Sequence, residues 1–149
     1  MGLAPSTAQQ LFRTWIEIDR PALRHNASVA REFAGEGNQV MAVVKANGYG
    51  LGAVDCARAL EPDVDAFGVA TLGEAIELRE AGLHGPIHLL SPLLASEMPA
   101  AVERGFIAAV STFDEAQALS AAARATGKTA VIQFVIDTGM GRIGAIEAQ

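Results

Sequence analysis

The sequence contains a single cysteine, Cys56, so no disulfide can form within it, and a reducing compartment such as the cytoplasm fits. No apolar run approaches the roughly 20 residues needed to span a bilayer. The first ten residues lack a basic stretch followed by an apolar one, which excludes a secretory signal there. Positive charge is scarce and unclustered, and the formal net charge is −6. That balance argues against nucleic acid and anionic membrane as partners, although one local positive pocket suffices for a small anionic ligand. The three histidines, His25, His84 and His88, have no metal-ligand spacing among themselves or with Cys56, so no metal site is expected. What remains is an Ala-rich, half-apolar chain of 149 residues, the size of one globular domain with a real core.

Residues 14–19 alternate like a strand, and Asp19 with Pro21 then reads as the entry to a helix that ends at Gly35. Residues 40–44 form a continuous apolar run of the kind buried parallel strands show. A helix is predicted over residues 53–60. Strand and helix then recur: strands at 66–70, 86–90, 106–110 and 129–136, with helices at 73–81, 96–104 and 113–125 between them. About five βα units at this spacing imply an α/β fold with a parallel sheet. Periodicity leaves two architectures open, a doubly wound sheet and a (β/α)8 barrel of the TIM type. No GxGxxG turn with a downstream acid favours the first. Residues 1–13 read as a flexible arm and 14–149 as one domain.

Lys45 follows the apolar run directly, at the end of a parallel strand, where such folds place their active sites. Strand residues alternate, so Val43 shares the face of Lys45 and Val44 takes the other. An amine there is suited to condense with an aldehyde. The three glycines of Gly48-Tyr49-Gly50-Leu51-Gly52 permit close backbone approach to a ligand, and the Tyr49 hydroxyl is placed to donate to a phosphate. A strand-end lysine followed by an ordinary glycine-rich turn explains the same residues.

Asp137-Thr138-Gly139-Met140-Gly141-Arg142-Ile143-Gly144 also follows a strand. Arg142 offers a planar fork suited to a carboxylate or phenolate, or is a surface arginine of a mobile loop. Asp137 is read as structural, either a cap or a partner for Arg142. His88 is read as a satisfied core histidine, and Glu74, Glu77 and Glu80 as a solvated helix face. Ser91 ends a strand, but nothing singles it out.

Together these segments resemble the alanine racemase family. The resemblance rests on Thr14-Trp15-Ile16-Glu17-Ile18-Asp19, Ala42-Val43-Val44-Lys45-Ala46-Asn47-Gly48-Tyr49-Gly50, Phe67-Gly68-Val69-Ala70 with Glu74-Ala75, and the Asp137–Gly144 loop, in the family's order and at about its spacing. It implies a pyridoxal 5′-phosphate (PLP)-binding barrel, here about five βα units of it, with the mostly β C-terminal domain of complete members missing. It places the cofactor's Schiff-base lysine, which is also one catalytic base, on Lys45. The phosphate-binding tyrosine falls on Tyr49. The arginine toward the cofactor's phenolic oxygen and the substrate falls on Arg142, and apolar cofactor neighbours fall on Val43 and Leu90.

The activity so implied is interconversion of L- and D-alanine by two bases, supplying D-alanine for the cell wall, in a cytoplasmic homodimer where the second base is a partner tyrosine. That tyrosine lies beyond Gln149 in the family, so the chain alone is expected to be an inactive, truncated portion. A second departure is Val135, where many members carry a lysine that orients the arginine corresponding to Arg142. The alternatives are a racemase for another small amino acid such as serine, or a non-enzymatic PLP-holding barrel. The Tyr49 and Arg142 motifs favour the racemase.

Overall fold

The computed structural model describes residues 13–146. The arm expected over residues 1–13 lies, apart from Arg13, outside the described residues. The first helix among the described residues, α1 (Arg20–Ala34), starts as the sequence indicates: the Asp19 carboxylate accepts from the Ala22 amide at 3.0 Å, Pro21 occupies the first turn, and Gly35 closes the end at φ +78°. β1 (Met41–Val43), α2 (Ala53–Leu60), β2 (Ala66–Val69), α3 (Leu72–Glu80), β3 (Ile87–Leu89), α4 (Met98–Glu103), β4 (Ile107–Val110), α5 (Phe113–Thr126) and β5 (Val131–Phe134) follow in alternation.

The strands lie side by side in the order β1-β2-β3-β4-β5, and every neighbouring pair is parallel. A doubly wound sheet reverses its strand order part-way, to place helices on both faces. This order never reverses, so each βα unit sits beside the one before it, and the sheet is a partial (β/α)8 barrel. Alternation then sorts the side chains. Val44, Phe67, Val69, Ile87, Leu89, Ala108 and Val110 face the helices and are buried. Cys56, Ala57, Ala75, Leu78 and Ala101 of α2, α3 and α4 meet the first five, and Met98, Val102, Leu119 and Ala122 of α4 and α5 meet Ala108 and Val110. On the opposite, interior face Nδ1 of His88 lies 2.7 Å from Oε1 of Gln133, so this histidine has a polar partner. Gly68 also lies on that face, where an added Cβ would stand 2.9 Å from Met41 Sδ and 3.0 Å from Leu90 Cδ1.

Two sequence expectations change. Residues 14–19 alternate like a strand but carry no regular structure, and Trp15 and Ile16 stand exposed. A strand needs a neighbour to take its amides and carbonyls, and among the described residues β1 at that side of the sheet pairs only with β2. Residues 45–49, expected as a loop, form a left-handed helical turn, with Ala46, Asn47, Gly48 and Tyr49 at φ +52°, +54°, +63° and +55°.

Candidate functional site at the carboxyl ends of the strands

The left-handed turn is an unusual conformation, because each non-glycine L-residue there costs roughly 1–2 kcal/mol. The chain offsets this with bonds to its neighbours. Gly50 N–H donates to the Ala46 carbonyl at 3.0 Å, and Gly52 N–H to the Asn47 carbonyl at 2.8 Å. Asn47 Oδ1 accepts from the Ala53 amide at 3.0 Å, which ties the turn to the start of α2. Gly48 is buried against that same start, and a Cβ there would lie 3.2 Å from Ala53 N and 3.5 Å from Cys56 Sγ. Burial, with the Asp55 charge nearby, pushes the Cys56 thiol up, so this cysteine packs rather than reacts.

The Glu74 carboxylate takes a different part from the solvated face expected of it. Its Oε2 accepts from the amides of Ala70 and Thr71, at 2.8 and 3.2 Å, and Thr71 Oγ1 accepts from the Glu74 amide. This capping box starts α3. The other oxygen, Oε1, accepts from the Ala46 amide at 2.8 Å. Glu77 and Glu80 are exposed as expected.

The loop after β5 is organised by Asp137. Its Oδ1 accepts from the Gly139 amide at 2.9 Å, and its Oδ2 from the Gly141 amide at 2.9 Å. These backbone donors hold its carboxyl below the usual carboxylate range. At the base of the loop Ala145 N–H donates to the Val135 carbonyl and Asp137 N–H to the Ala145 carbonyl, at 2.8 and 2.9 Å. Gly144 lies so close that a Cβ would stand 2.5 Å from Asp137 N. Asp137 is therefore structural, as expected, and it acts on the backbone rather than by pairing with Arg142.

Lys45, Leu90 and Arg142 come together. With Ala70, Ser91, Pro92 and Ile143 they line a cavity of about 200 Å³ at the carboxyl ends of β1, β2 and β3 and the loop after β5. Ligand pockets commonly run to roughly 300–1,000 Å³, so this cavity is small. Among the described residues neither Lys45 nor Arg142 forms an ion pair. Two cations therefore face an apolar-floored hollow without a carboxylate. Tyr49 is 64 % exposed and stands outside the lining. Val43 borders a different groove, of about 280 Å³, between α1 and β1. No cluster of three or more His, Cys, Asp or Glu with metal-binding geometry occurs among the described residues.

Ser91, which by its strand-end position could reach a site but was not singled out by the sequence, lines the cavity. Sequence reasoning missed one participant. Glu74 reaches the Lys45 turn, but its sequence signal, a Thr-x-x-Glu box, reports only the helix start.

The protein-family model described as alanine racemase, N-terminal domain, matches residues 18–149. The alanine racemase of Methylacidiphilum infernorum is 42 % identical over 138 residues, covering 92 % of this chain and 36 % of that protein. That of Desulforamulus reducens is 46 % identical over 131 residues, 87 % of this chain and 35 % of its own length. Among solved structures, alanine racemase from D-cycloserine-producing Streptomyces lavendulae superimposes with a TM-score of 0.78 at 44 % identity, over 86 % of this chain and 34 % of that one. Alanine racemase from Clostridium difficile 630 gives 0.80 at 32 % identity, over 84 % and 33 %. The chain thus spans about a third of the length of the relatives it matches. With the family model matching over residues 18–149, the chain belongs to the alanine racemase family through that family's N-terminal domain.

Proposed function

We propose that this domain holds PLP and one of two catalytic bases for a cytoplasmic amino-acid racemase acting on alanine, with D-alanine destined for cell wall synthesis. The observation that carries the reading is the convergence of Lys45 and Arg142 on one cavity with no carboxylate to neutralise them. That chemistry fits an anionic aldehyde cofactor: an amine to condense with it, a fixed cation for an oxygen, and Leu90, Ala70 and Ile143 as apolar floor. PLP, when bound, supplies the electron sink that acidifies the Cα proton of an amino acid. Lys45 would hold the cofactor through Nζ, and that same nitrogen would take or return the Cα proton. Such acid–base assistance is typically worth about 10² to 10⁴-fold. Arg142 orients the cofactor's phenolic oxygen and the substrate. Tyr49, on the same turn as Lys45, binds phosphate, and Val43 adds apolar contact.

Inversion needs a second proton donor on the opposite face. Among the described residues lining the cavity only Lys45 has a side chain suited to that exchange. We therefore place the second base on a partner subunit of a homodimer. The alternative substrate is another small amino acid such as serine.

The chain has only two lysines, Lys45 and Lys128, which makes the test direct. Incubation with PLP, borohydride reduction and peptide mapping should put the cofactor on Lys45 in large excess over Lys128. Equal labelling would overturn the reading. Chirality-resolved analysis of L-alanine incubated with PLP and the 149-residue chain should show no D-alanine; turnover would refute an external second base.

A further inference from the structure

We infer that Glu74 is a positioning residue for Lys45, holding the backbone on the carboxyl side of that lysine so that its amine emerges into the cavity in one direction. The inference rests on the role proposed above for Lys45 and adds to it a residue from a different βα unit.

Two capping boxes in the same chain separate ordinary helix capping from something more. At α5, Thr112 and Glu115 reproduce the arrangement of Thr71 and Glu74. Glu115 Oε2 accepts from the amides of Ser111 and Thr112 at 2.7 and 3.1 Å, and Thr112 Oγ1 accepts from the Glu115 amide. Capping there needs one carboxylate oxygen. Glu74 caps α3 with one oxygen in the same way and spends the other on the Ala46 amide at 2.8 Å. Helix capping does not account for that second bond.

The bonded amide belongs to the peptide that links Lys45 to Ala46. On the other side of Lys45, the Val44 amide donates to the Gly68 carbonyl of β2 at 2.9 Å. Both residues flanking Lys45 are therefore anchored, one to β2 and the other to the first turn of α3. Ala46 itself sits at φ +52°, which an alanine does not adopt unaided. A charge-assisted bond is the kind strong enough to hold it there. With the peptide fixed, only the side-chain torsions of Lys45 remain free, and near-attack geometry gains from each torsion removed.

The glutamine variants provide the test, because an amide side chain has one acceptor oxygen where a carboxylate has two. Glu115→Gln keeps every bond that Glu115 makes. Glu74→Gln keeps one acceptor oxygen, which the two cap amides of Ala70 and Thr71 hold as Ser111 and Thr112 hold that of Glu115, so the bond to Ala46 is the one given up. Both variants are folded with the wild-type chain as reference, and two quantities are read. The first is the ratio of Lys45 to Lys128 labelling by PLP and borohydride, in which Lys128 is the internal standard. The second is the hydrogen-exchange rate of the Ala46 amide, measured without cofactor. In Glu74→Gln the labelling ratio should fall about tenfold and Ala46 exchange should rise by a similar factor, as for a lost charge-assisted bond. Glu115→Gln should leave both unchanged. Wild-type values of both quantities in Glu74→Gln would overturn the inference, as would an equal change in Glu115→Gln. A wild-type chain that labels Lys45 and Lys128 alike would instead remove the role of Lys45 on which it rests, and the exchange data would then stand alone as evidence on the Ala46 bond.

Discussion

At the scale of the residue, three aspartates show how charge is used here. Asp63 is held below the usual carboxylate range by Arg24, Asp65 by the Val40 amide and Arg31, and Asp137 by the amides of Gly139 and Gly141. A carboxyl whose pKa drops on folding binds its proton more readily in the unfolded chain. Its stabilisation is therefore complete above the ordinary carboxylate value of about 4 and is lost as pH falls through the lower folded value. For Asp137 the consequence is local: acidification should release the loop that carries Arg142, visible as the Gly139 and Gly141 amides moving toward their unfolded NMR positions below about pH 4. Asp137→Asn should show the released positions already at neutral pH and flatten that acid dependence. An acid profile identical to wild type would contradict the role of this carboxylate. The helix entry at Asp19 and the structural nature of Asp137 were legible in the sequence, since a short acidic side chain beside free backbone amides has few other uses. The approach of Arg142 to Lys45 was legible only through the family resemblance, because no local pattern records which strand ends meet.

At the scale of the element, the helices announce themselves and one turn does not. Thr112-x-x-Glu115 and Thr71-x-x-Glu74 mark their helix starts, and Gly127 marks the end of α5 at φ +66°. Thr112 is exposed and its contribution is the cap. Thr112→Ala should cost about 1 kcal/mol, a drop of roughly 2–4 °C in Tm for a chain of this size. Calorimetry checks it, and an unchanged Tm would mean the box is idle. The left-handed turn at residues 45–49 was hidden, because only Asn47 and Gly48 favour that region while Ala46 and Tyr49 are carried into it by Glu74, α2 and the turn's own bonds. Residues 14–19 err the other way. Their alternation is real, but pairing is a property of two strands, and one cannot report the other.

At the scale of the whole molecule, the sequential parallel order leaves a sheet with two open sides among the described residues. On β5 itself, Val131, Ile132 and Phe134 are exposed, and a trough of about 500 Å³ lined by Leu119, Ala123 and Ile132 runs between α5 and the sheet. An uncovered edge of this composition offers its unpaired amides and carbonyls to another chain. Sedimentation should show an average mass that rises with concentration, and Ile132→Lys, a charge on that edge, should reduce the rise. A monomer at all concentrations would refute it. The βα periodicity made the units legible but left barrel and open sheet equal. What separates them is the direction of winding, and that is carried by packing between units rather than by any one of them.

The turn after β1 has the hand of a D-peptide. Its torsions at Ala46, φ +52° and ψ +49°, are the mirror image of those an L-residue adopts in an ordinary helix. For a D-alanine placed there by semisynthesis, the same backbone would be the relaxed one, and the roughly 1–2 kcal/mol of steric opposition would vanish with no contact of the backbone altered. The segment that carries Lys45 is thus a short stretch of inverted chirality written in L-amino acids.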